Sequence, residues 1–495
     1  MNPLPDRMPM SLISRLRTGF SACATAALAS CALAPDGEPP RMALPAHYGV
    51  APQPGHTVDA QGVAQHFEIG AAPVPQWWKR YGSDVLDALV DEGLHNSPTL
   101  AAAEKALAAA QAQLRAQIGN SIFPSVNAYG QADRERNLGQ PNGGPKTLVY
   151  NVFAGQLQVN YTFDLFGAMR FANGAQASRV NLQAYQADAA RRALAANIVI
   201  GVINIASLSE QIEMSQRIVA LSADDAREAD QRLALGASTR ADAAAAHQNV
   251  AVLASHLPGL LHERSAARHT LAVLLGRTPE AAPPDLTLAA LRLPRDVPVV
   301  VPSELLRTRP DILATAAALQ AAAADVGVAT ARLYPSLSLT AALAQGGFTW
   351  SLATGGAGKL WSIAGTLTQP IFNGGALRAQ RRAALDTYEA AAAQYQATVL
   401  SAFQDVATML DALEQDAVAL DAAVRATTAA HDGFDDTAAR QRLGNATPAA
   451  TRAAEARFLQ SRIDELRFTS TRLADTATLF QAMGQPPDET RGTPR

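Results

Sequence analysis

The sequence contains little cysteine, few charged or aromatic residues and no excess of basic charge. Its two cysteines, Cys23 and Cys31, lie near the N-terminus, so the rest of the chain has no disulfide, cysteine-based zinc site or catalytic thiol. Lysine and arginine total 41 against 44 aspartates and glutamates, and this balance argues against a nucleic-acid partner. Charged residues at 17% and aromatics at 5%, with long alanine-rich stretches, are typical of closely packed long helices.

Long apolar runs are also missing beyond the first 31 residues. The nearest is 195–208, which is short and is interrupted by Asn197 and Asn204. A helical membrane protein is therefore not expected. A lipid-anchored protein and a β-barrel remain open, because barrel strands are short and only weakly hydropathic.

The N-terminus has the layout of an export signal: basic residues (Arg15, Arg17), a weakly apolar stretch 19–28, and then small residues. The segment 28–31 reads Leu-Ala-Ser-Cys, which resembles the lipobox of bacterial lipoproteins. We therefore expect residues 1–30 to be a lipoprotein signal peptide and Cys31 to be acylated after cleavage. The alternative is a chance cysteine in an alanine-rich signal.

The body of the chain contains an internal repeat. Arg170 matches Arg378, Gly236 matches Gly444 and Gly276 matches Gly484; 378 − 170, 444 − 236 and 484 − 276 all give 208. An ungapped register across three motifs indicates a duplication.

Each repeat predicts a helix, a strand, a loop, a strand, a very long helix, a tight turn and another long helix. The first helix starts at 96–100 in one repeat and at 309–312 in the other, where a proline follows the cap. Residues 167–235 are nearly uninterrupted helical sequence, which would run to about 100 Å at 1.5 Å per residue. An apolar seam on this segment is suited to packing against another helix. Its members are Ile198, Val202, Ile205, Leu208 and Ile212.

The strands alternate with period two, and their polar faces carry uncharged side chains. The apolar face includes Phe153, Leu157, Val159, Tyr161, Phe163, Leu337, Leu339, Ala341, Leu343, Ile363, Leu367 and Ile371. A soluble sandwich would show the same alternation. Glutamine, asparagine, serine and threonine on the other face suit a wet lumen, and aromatics near the strand ends suit a membrane girdle. The glycine-rich stretches 139–146 and 346–359 are expected to be loops.

Four strands cannot close a membrane barrel, because bacterial barrels need at least about 8. We therefore expect a homo-oligomer, and three chains of four strands would give 12.

With these motifs the chain resembles the outer-membrane efflux factor family (TolC/OprM-like), and most of all its NodT-type lipoprotein branch. The resemblance rests on the 96–100 and 309–312 helix starts, on 164–167 and 370–374, and on the two Leu-Gly turns. It implies a mainly α protein with membrane β: a trimeric channel-tunnel with a 12-stranded outer-membrane β-barrel continuous with a long periplasmic α-helical barrel. The implied function is the exit duct of a tripartite efflux pump, with a periplasmic adaptor and an inner-membrane RND-type transporter as partners.

The expected organisation follows from the repeat and the resemblance. A lipid-anchored N-terminal segment and equatorial region covers 31–95, and repeat 1 covers 96–277. A linker or equatorial region covers 278–308, repeat 2 covers 309–484, and a C-terminal tail covers 485–495.

The resemblance also assigns functional residues at the periplasmic end. The adaptor-docking hairpin tips would be Leu235, Gly236, Ala237, Ser238, Leu443, Gly444, Asn445, Ala446 and Thr447. The simpler interpretation of the glycines is helix termination alone. Asp242 fits the family's ring of aspartates at the periplasmic gate, but Ala450 and Ala453 occupy the matching positions in repeat 2, so Glu455 is the remaining candidate there.

No catalytic or cofactor-binding constellation competes with this interpretation. The histidines at 247, 256, 262 and 269 are spaced by nine, six and seven residues, which predicts a solvated helix face rather than a metal site. We expect neither an enzyme nor a cofactor. The alternatives are a pore-free, lipid-anchored coiled-coil protein that spans the periplasm, or a duct for type I protein secretion or metal export.

Overall fold

The computed structural model describes residues 33–49, 54–138 and 147–484. The signal segment, Cys31, the 139–146 stretch and the 485–495 tail lie outside the described residues. The chain divides into two compact units. Of the described residues, the strand unit contains 33–39, 111–138, 147–179 and 318–392, and the helical unit contains 40–49, 54–110, 180–317 and 393–484.

The elements follow the predicted order, with additional short ones. The helices are α1 (Asp84–Asn96), α2 (Pro98–Ile122), α3 (Ala168–Ala234), α4 (Arg240–Leu274), α5 (Pro302–Thr308), α6 (Pro310–Ala331), α7 (Trp350–Thr354), α8 (Ala376–Arg442) and α9 (Pro448–Ala482). The strands are β1 (His66–Ile69), β2 (Ser125–Leu138), β3 (Thr147–Phe163), β4 (Asp296–Val299), β5 (Ser336–Gly347) and β6 (Lys359–Thr368).

The repeat is confirmed at the level of the long helices. Helices α3 and α8 each have 67 residues, and α4 and α9 each have 35. Each pair starts and ends 208 residues apart, the same spacing as the sequence motifs. The duplication therefore preserved both hairpins without insertion or deletion.

The strand unit holds one antiparallel sheet in the order β2-β3-β5-β6. Leu157 lies opposite Leu343, and Leu337 lies opposite Leu367, so the predicted apolar residues share one face. On the other face Gln156 donates to Gln158 at 3.3 Å, and Gln158 donates to Asn160 at 2.8 Å. The period-two prediction for these strands is therefore confirmed.

Two details of the strand prediction were wrong. Strand β6 ends at Thr368, so Ile371 does not belong to it; the proline at position 370 cannot donate a ladder hydrogen bond. The expected 346–359 loop contains the short helix α7, whose first turn is capped where the Thr349 hydroxyl accepts from the Leu352 N–H at 3.3 Å.

The outer strands of this sheet each have one neighbour within the described chain. Strand β2 pairs only with β3, and β6 pairs only with β5. Apolar residues on β6 are well exposed, among them Trp361 at 77% and Ile363 at 68%. Such an edge exposes unpaired backbone groups and apolar surface together.

The helical unit has a core of aliphatic and aromatic side chains. The predicted seam of α3 is fully buried, with Ile198 at 0% and Ile212 at 4% exposure. Trp77 stacks on Phe480 with ring centroids 5.4 Å apart, and Tyr81 donates to the Leu473 carbonyl at 2.8 Å. These contacts attach the chain before α1 to the end of α9.

Two segments outside the repeats combine in this unit. Strand β1 pairs in parallel with β4, with His66 opposite Asp296. Tyr48 donates to the Val300 carbonyl at 2.6 Å, and burial raises the pKa of this phenol above its ordinary range. The N-terminal segment and the 278–308 linker thus form one small structure.

Two helices are long and apolar enough to meet a simple membrane-span criterion. An 18-residue window in α3 and another in α6 each have a mean hydropathy of 1.6. About 61% and 50% of these windows are buried within the fold, as in the core helix of a soluble protein. Their hydropathy is weak support for helical membrane spans.

Candidate functional site

Two turns connect the paired long helices, α3 to α4 and α8 to α9, and they have the same construction. Gly236 and Gly444 adopt positive φ angles of 71° and 78°. The Gly236 N–H donates to the Leu233 carbonyl at 3.0 Å, and the Ala237 N–H donates to the Arg232 carbonyl at 2.7 Å. The corresponding distances in the second turn are 2.9 and 2.8 Å. This is a Schellman motif, which requires glycine at the left-handed position.

The turns are highly exposed, and each presents a leucine. Leu235 is 83% exposed and Leu443 is 76% exposed. A Cβ built on Gly236 or Gly444 would meet no atom within 4 Å. Other predicted tip residues are exposed (Ala237, Asn445, Thr447) or half-buried (Ser238, Ala446). Each tip therefore offers a small exposed apolar surface centred on its leucine.

The helices that follow the turns start differently in the two repeats. Thr239 caps α4, and Asp242 completes a capping box by accepting from the Thr239 N–H at 2.9 Å and its hydroxyl at 2.8 Å. These hydrogen bonds lower the pKa of the exposed Asp242. In the second repeat Thr447 accepts from the Ala450 N–H at 3.2 Å, and alanine supplies no return bond. Asp242 thus has a structural role and still carries its charge at the helix start.

The second gate candidate, Glu455, is paired with an arginine. It accepts from the Arg217 guanidinium at 2.7 Å, and its side chain is only 20% exposed. Because Arg217 belongs to α3 and Glu455 to α9, the pair joins the two hairpins. Glu455 is therefore less available as a free carboxylate than Asp242.

A stronger ionic link lies closer to the turns, and sequence analysis missed it. Arg452 of α9 donates to Asp225 at 2.5 Å and to Glu228, both on α3. Glu228 also accepts from Arg232 at 2.5 Å. The hydrogen bond from Arg452 holds the pKa of Glu228 below its ordinary value. Only charge complementarity between distant helices could have indicated this link, and one sequence does not show which helices meet.

The histidines of α4 do not gather into a metal site. His247 lies 3.1 Å from Asp230, while His256, His262 and His269 are exposed. Across 33–49, 54–138 and 147–484, no group of three or more histidine, cysteine, aspartate or glutamate residues could hold a metal ion.

Comparison with known proteins identifies the family. The model of the family described as "Outer membrane efflux protein" matches residues 89–277 and 301–485, more than half of the chain. The chain belongs to the outer membrane efflux protein family. The first matched segment covers repeat 1 and the second half of α1, and the second covers repeat 2 and α5.

Characterised relatives of this efflux protein cover most of its length. The pyoverdine export outer membrane protein OpmQ of Pseudomonas aeruginosa is 32% identical over 346 residues, which is 68% of this chain and 71% of the relative. The outer membrane protein OprJ of the same organism is 30% identical over 370 residues, 71% of this chain and 77% of the relative. Our efflux protein is accordingly the outer-membrane component of an efflux pump, and it extends from the outer membrane into the periplasm, as predicted.

Solved structures share the fold. The MtrE outer membrane channel of Neisseria gonorrhoeae, in its open state, superposes with a TM-score of 0.74 at 26% identity, covering 91% of this chain and 98% of MtrE. The CmeC outer membrane channel of Campylobacter jejuni gives a TM-score of 0.80 at 21% identity over 94% of this chain and 97% of CmeC, and shows the fold alone. The family consists of efflux channels rather than enzymes.

Proposed function

We propose that three copies of this efflux protein form the exit duct of a tripartite pump, with a closed 12-stranded barrel continuous with a helical barrel. The unpaired edges of the sheet carry this proposal. Strands β2 and β6, of 14 and 10 residues, each lack a second partner in the described chain. Pairing β2 of one copy with β6 of the next satisfies both edges, and three copies complete the ring.

The two faces of the sheet support the same arrangement. Leu157, Leu343 and Trp361 are exposed on one face at 51%, 59% and 77%. Lipid contact would cover this face. The glutamine and asparagine ladder on the other face keeps its amides hydrogen-bonded and uncharged, which suits a wet lumen.

Docking of the adaptor would use the two turns. Leu235 and Leu443 provide exposed apolar anchors on rigid Schellman turns, and exposed apolar surface of this kind marks protein interaction sites. The remaining tip residues contribute small side chains that permit close approach. The inner-membrane RND-type transporter would join the assembly as third component.

The periplasmic gate would be ringed by three copies of Asp242. Its carboxylate stays ionised because Thr239 hydrogen-bonds the charged form. Glu455 would contribute less, because Arg217 neutralises it. The α3–α9 ion pairs of Arg217 and Arg452 would hold the two hairpins together at this end.

The transported molecules would be small molecules, namely drugs or other toxic compounds. Similar proteins bear names such as "Pyoverdine export outer membrane protein OpmQ" and "Toluene efflux pump outer membrane protein TtgC". A duct of this kind conducts its cargo passively and need not recognise it. Metal export and type I protein secretion are the competing substrate assignments.

An N-terminal lipid would complement the barrel. Cys31, in the lipobox-like segment, would be acylated and hold the mature N-terminus at the outer membrane.

Conductance in a planar lipid bilayer tests the duct against a pore-free coiled-coil protein. We expect the purified protein to conduct, with modest cation selectivity measured as a reversal potential in a salt gradient. Asp242→Ala should reduce this selectivity and Ala450→Asp should increase it, because like charges in a narrow mouth attract cations. Glu263→Gln, which removes an exposed carboxylate farther along α4, is the matched control and should leave it unchanged. A membrane-inserted protein that never conducts would contradict the duct.

A further inference from the structure

A cavity of about 720 Å³ in the helical unit is lined by four arginines. They are Arg80, Arg292, Arg295 and Arg472, and the only carboxylate among the lining residues is that of Asp296. The rest of the lining includes apolar side chains: Ala60, Val63, Leu291, Leu293, Leu420 and Leu473. Guanidinium groups beside apolar surface suit a molecule with an anionic head and an apolar body.

Arg472 is the deepest of these arginines. It is 1% exposed, and its Nε and Nη2 donate to Gln65 at 3.1 Å and to Thr57 at 2.9 Å. Nη1 has no hydrogen-bond partner, and the guanidinium forms no ion pair with any residue in the described part of the chain. A buried cation without a direct counter-ion is costly unless an anion compensates it.

The nearest internal carboxylates neutralise Arg472 incompletely. Asp416 and Asp59 attract its charge, but burial lowers the pKa of this guanidinium overall. Burial and the neighbouring Asp475 raise the pKa of Asp416 to about 7. At neutral pH the Asp416 carboxylate therefore carries only part of its charge.

The remaining arginines lie toward the surface. Arg80 donates to the Asp296 carbonyl at 2.6 Å, which orients its guanidinium at the cavity wall. Arg292 and Arg295 are exposed, and their side chains have no hydrogen-bond or ion-pair partner within the described ranges. Three of the four positive charges thus remain available for an incoming group.

We propose that this cavity binds an amphiphilic anion through a phosphate or carboxylate group held by Arg472, Arg292 and Arg295. The apolar side chains of the lining contact the body of the same ligand. The forked donors of arginine match the oxygens of both anionic groups. This site is separate from the turns and the sheet, so it is tested independently of the duct function.

Calorimetric titration of the full-length protein in a non-ionic detergent tests the proposal with phenyl phosphate, inorganic phosphate and phenol. We expect saturable binding of phenyl phosphate, weaker binding of inorganic phosphate and none of phenol. Equal affinity for inorganic and phenyl phosphate would overturn the proposal that the apolar lining contacts the ligand. It would indicate that the cavity binds free inorganic phosphate. Absence of saturable binding of both phosphates would overturn the site itself.

Two exposed arginines allow a variant with little risk to folding. The double variant Arg292→Gln, Arg295→Gln should weaken phenyl phosphate binding about tenfold or more, since each lost charged hydrogen bond weakens affinity by roughly that factor. Arg307→Gln, which removes an exposed arginine outside the lining, is the matched control and should bind as the unmodified protein does. Unchanged affinity in the double variant would refute the arginine assignment.

Discussion

At the scale of single residues, two half-buried carboxylates of the hairpin α8–α9 are the clearest source of pH dependence. Asp416 and Asp475 interact between these two helices, and Arg472 is the cation that acts on Asp416. Burial, followed by mutual repulsion, raises the pKa of Asp416 to about 7, and burial raises the pKa of Asp475. The folded state therefore binds a proton more tightly than the unfolded chain.

Asp416→Asn should remove a pH-dependent loss of stability. The pKa of Asp416 is about 7 in the folded protein, whereas the ordinary value is 3.8. The free energy of unfolding of the unmodified protein therefore falls as the pH rises from the ordinary pKa to the folded pKa. We expect the variant to gain in thermal midpoint relative to the unmodified protein between pH 5 and pH 8, measured by circular dichroism. Asp411→Asn, at an exposed position of α8, is the control. Parallel pH profiles for Asp416→Asn and the unmodified protein would contradict the assignment.

Neighbouring residues of β3 should respond oppositely to substitution. Leu157→Arg places a charge on the proposed lipid face and should cost about 2–4 kcal/mol near the bilayer midplane, whereas Gln158→Leu on the lumenal face should be tolerated. Urea-induced unfolding in lipid vesicles measures both. Equal effects of the two substitutions would show that these faces do not separate lipid from water.

At the scale of elements, the helix-hairpin turns combine a conformational requirement with an exposed surface. Gly236 and Gly444 are needed for their positive φ, since an added Cβ meets no other atom. Glycines 276 and 484, which follow α4 and α9, also have positive φ and in addition lie against neighbouring backbone. There a Cβ would lie 2.4 Å from the Asn96 carbonyl oxygen and 2.5 Å from that of Thr308. The same repeat position thus packs the end of each hairpin against the end of the helix that precedes the repeat, α1 in the first and α5 in the second.

The double variant Gly236→Asp, Gly444→Asp should abolish export while trimer and outer-membrane level stay normal. Aspartate places a charged side chain on each proposed docking tip and strains the left-handed turn. Export is measured as survival on a toxic pump substrate, and membrane level by immunoblotting. Gly259→Asp, within α4 at a position with open space, is the matched control. Normal export by the double variant would exclude the turns as docking tips.

At the scale of the whole molecule, the proposed trimer supplies a partner for each of the two outer strands. No arrangement of four strands satisfies both β2 and β6 within the sheet as described. Lipid around the proposed ring would cover the exposed residues on the apolar face.

Cysteine cross-linking between the outer strands should produce a covalent ladder that ends at three chains. Ala128→Cys on β2 is combined in turn with cysteine at Ile363, Ala364 or Gly365 on β6, and oxidised membranes are analysed by non-reducing electrophoresis. Val159→Cys on β3 replaces the β2 cysteine in the control and should give no ladder, because β3 already has neighbours on both sides. A ladder that ends at two chains or continues past three would contradict the trimer.

The sequence by itself determined the duplication, the long helices, the alternating faces and the family. These features depend on local periodicity and on repeated glycine and proline signals, which each segment carries without reference to its neighbours. The buried seam of α3 and the Schellman turns lie where those signals predict them.

Only the tertiary structure decided which distant groups meet. Arg452 reaches Asp225 across 227 residues, and β1 pairs with β4 through segments that carry no repeat signal. Helix α4 also continues through Pro258, where a local rule would end it, while α9 has leucine at the matching position 466. The arginine-lined cavity depends on the same long-range packing. Pairing, burial and helix continuation at these places depend on contacts between separate elements, and a single sequence does not encode those contacts as a local pattern.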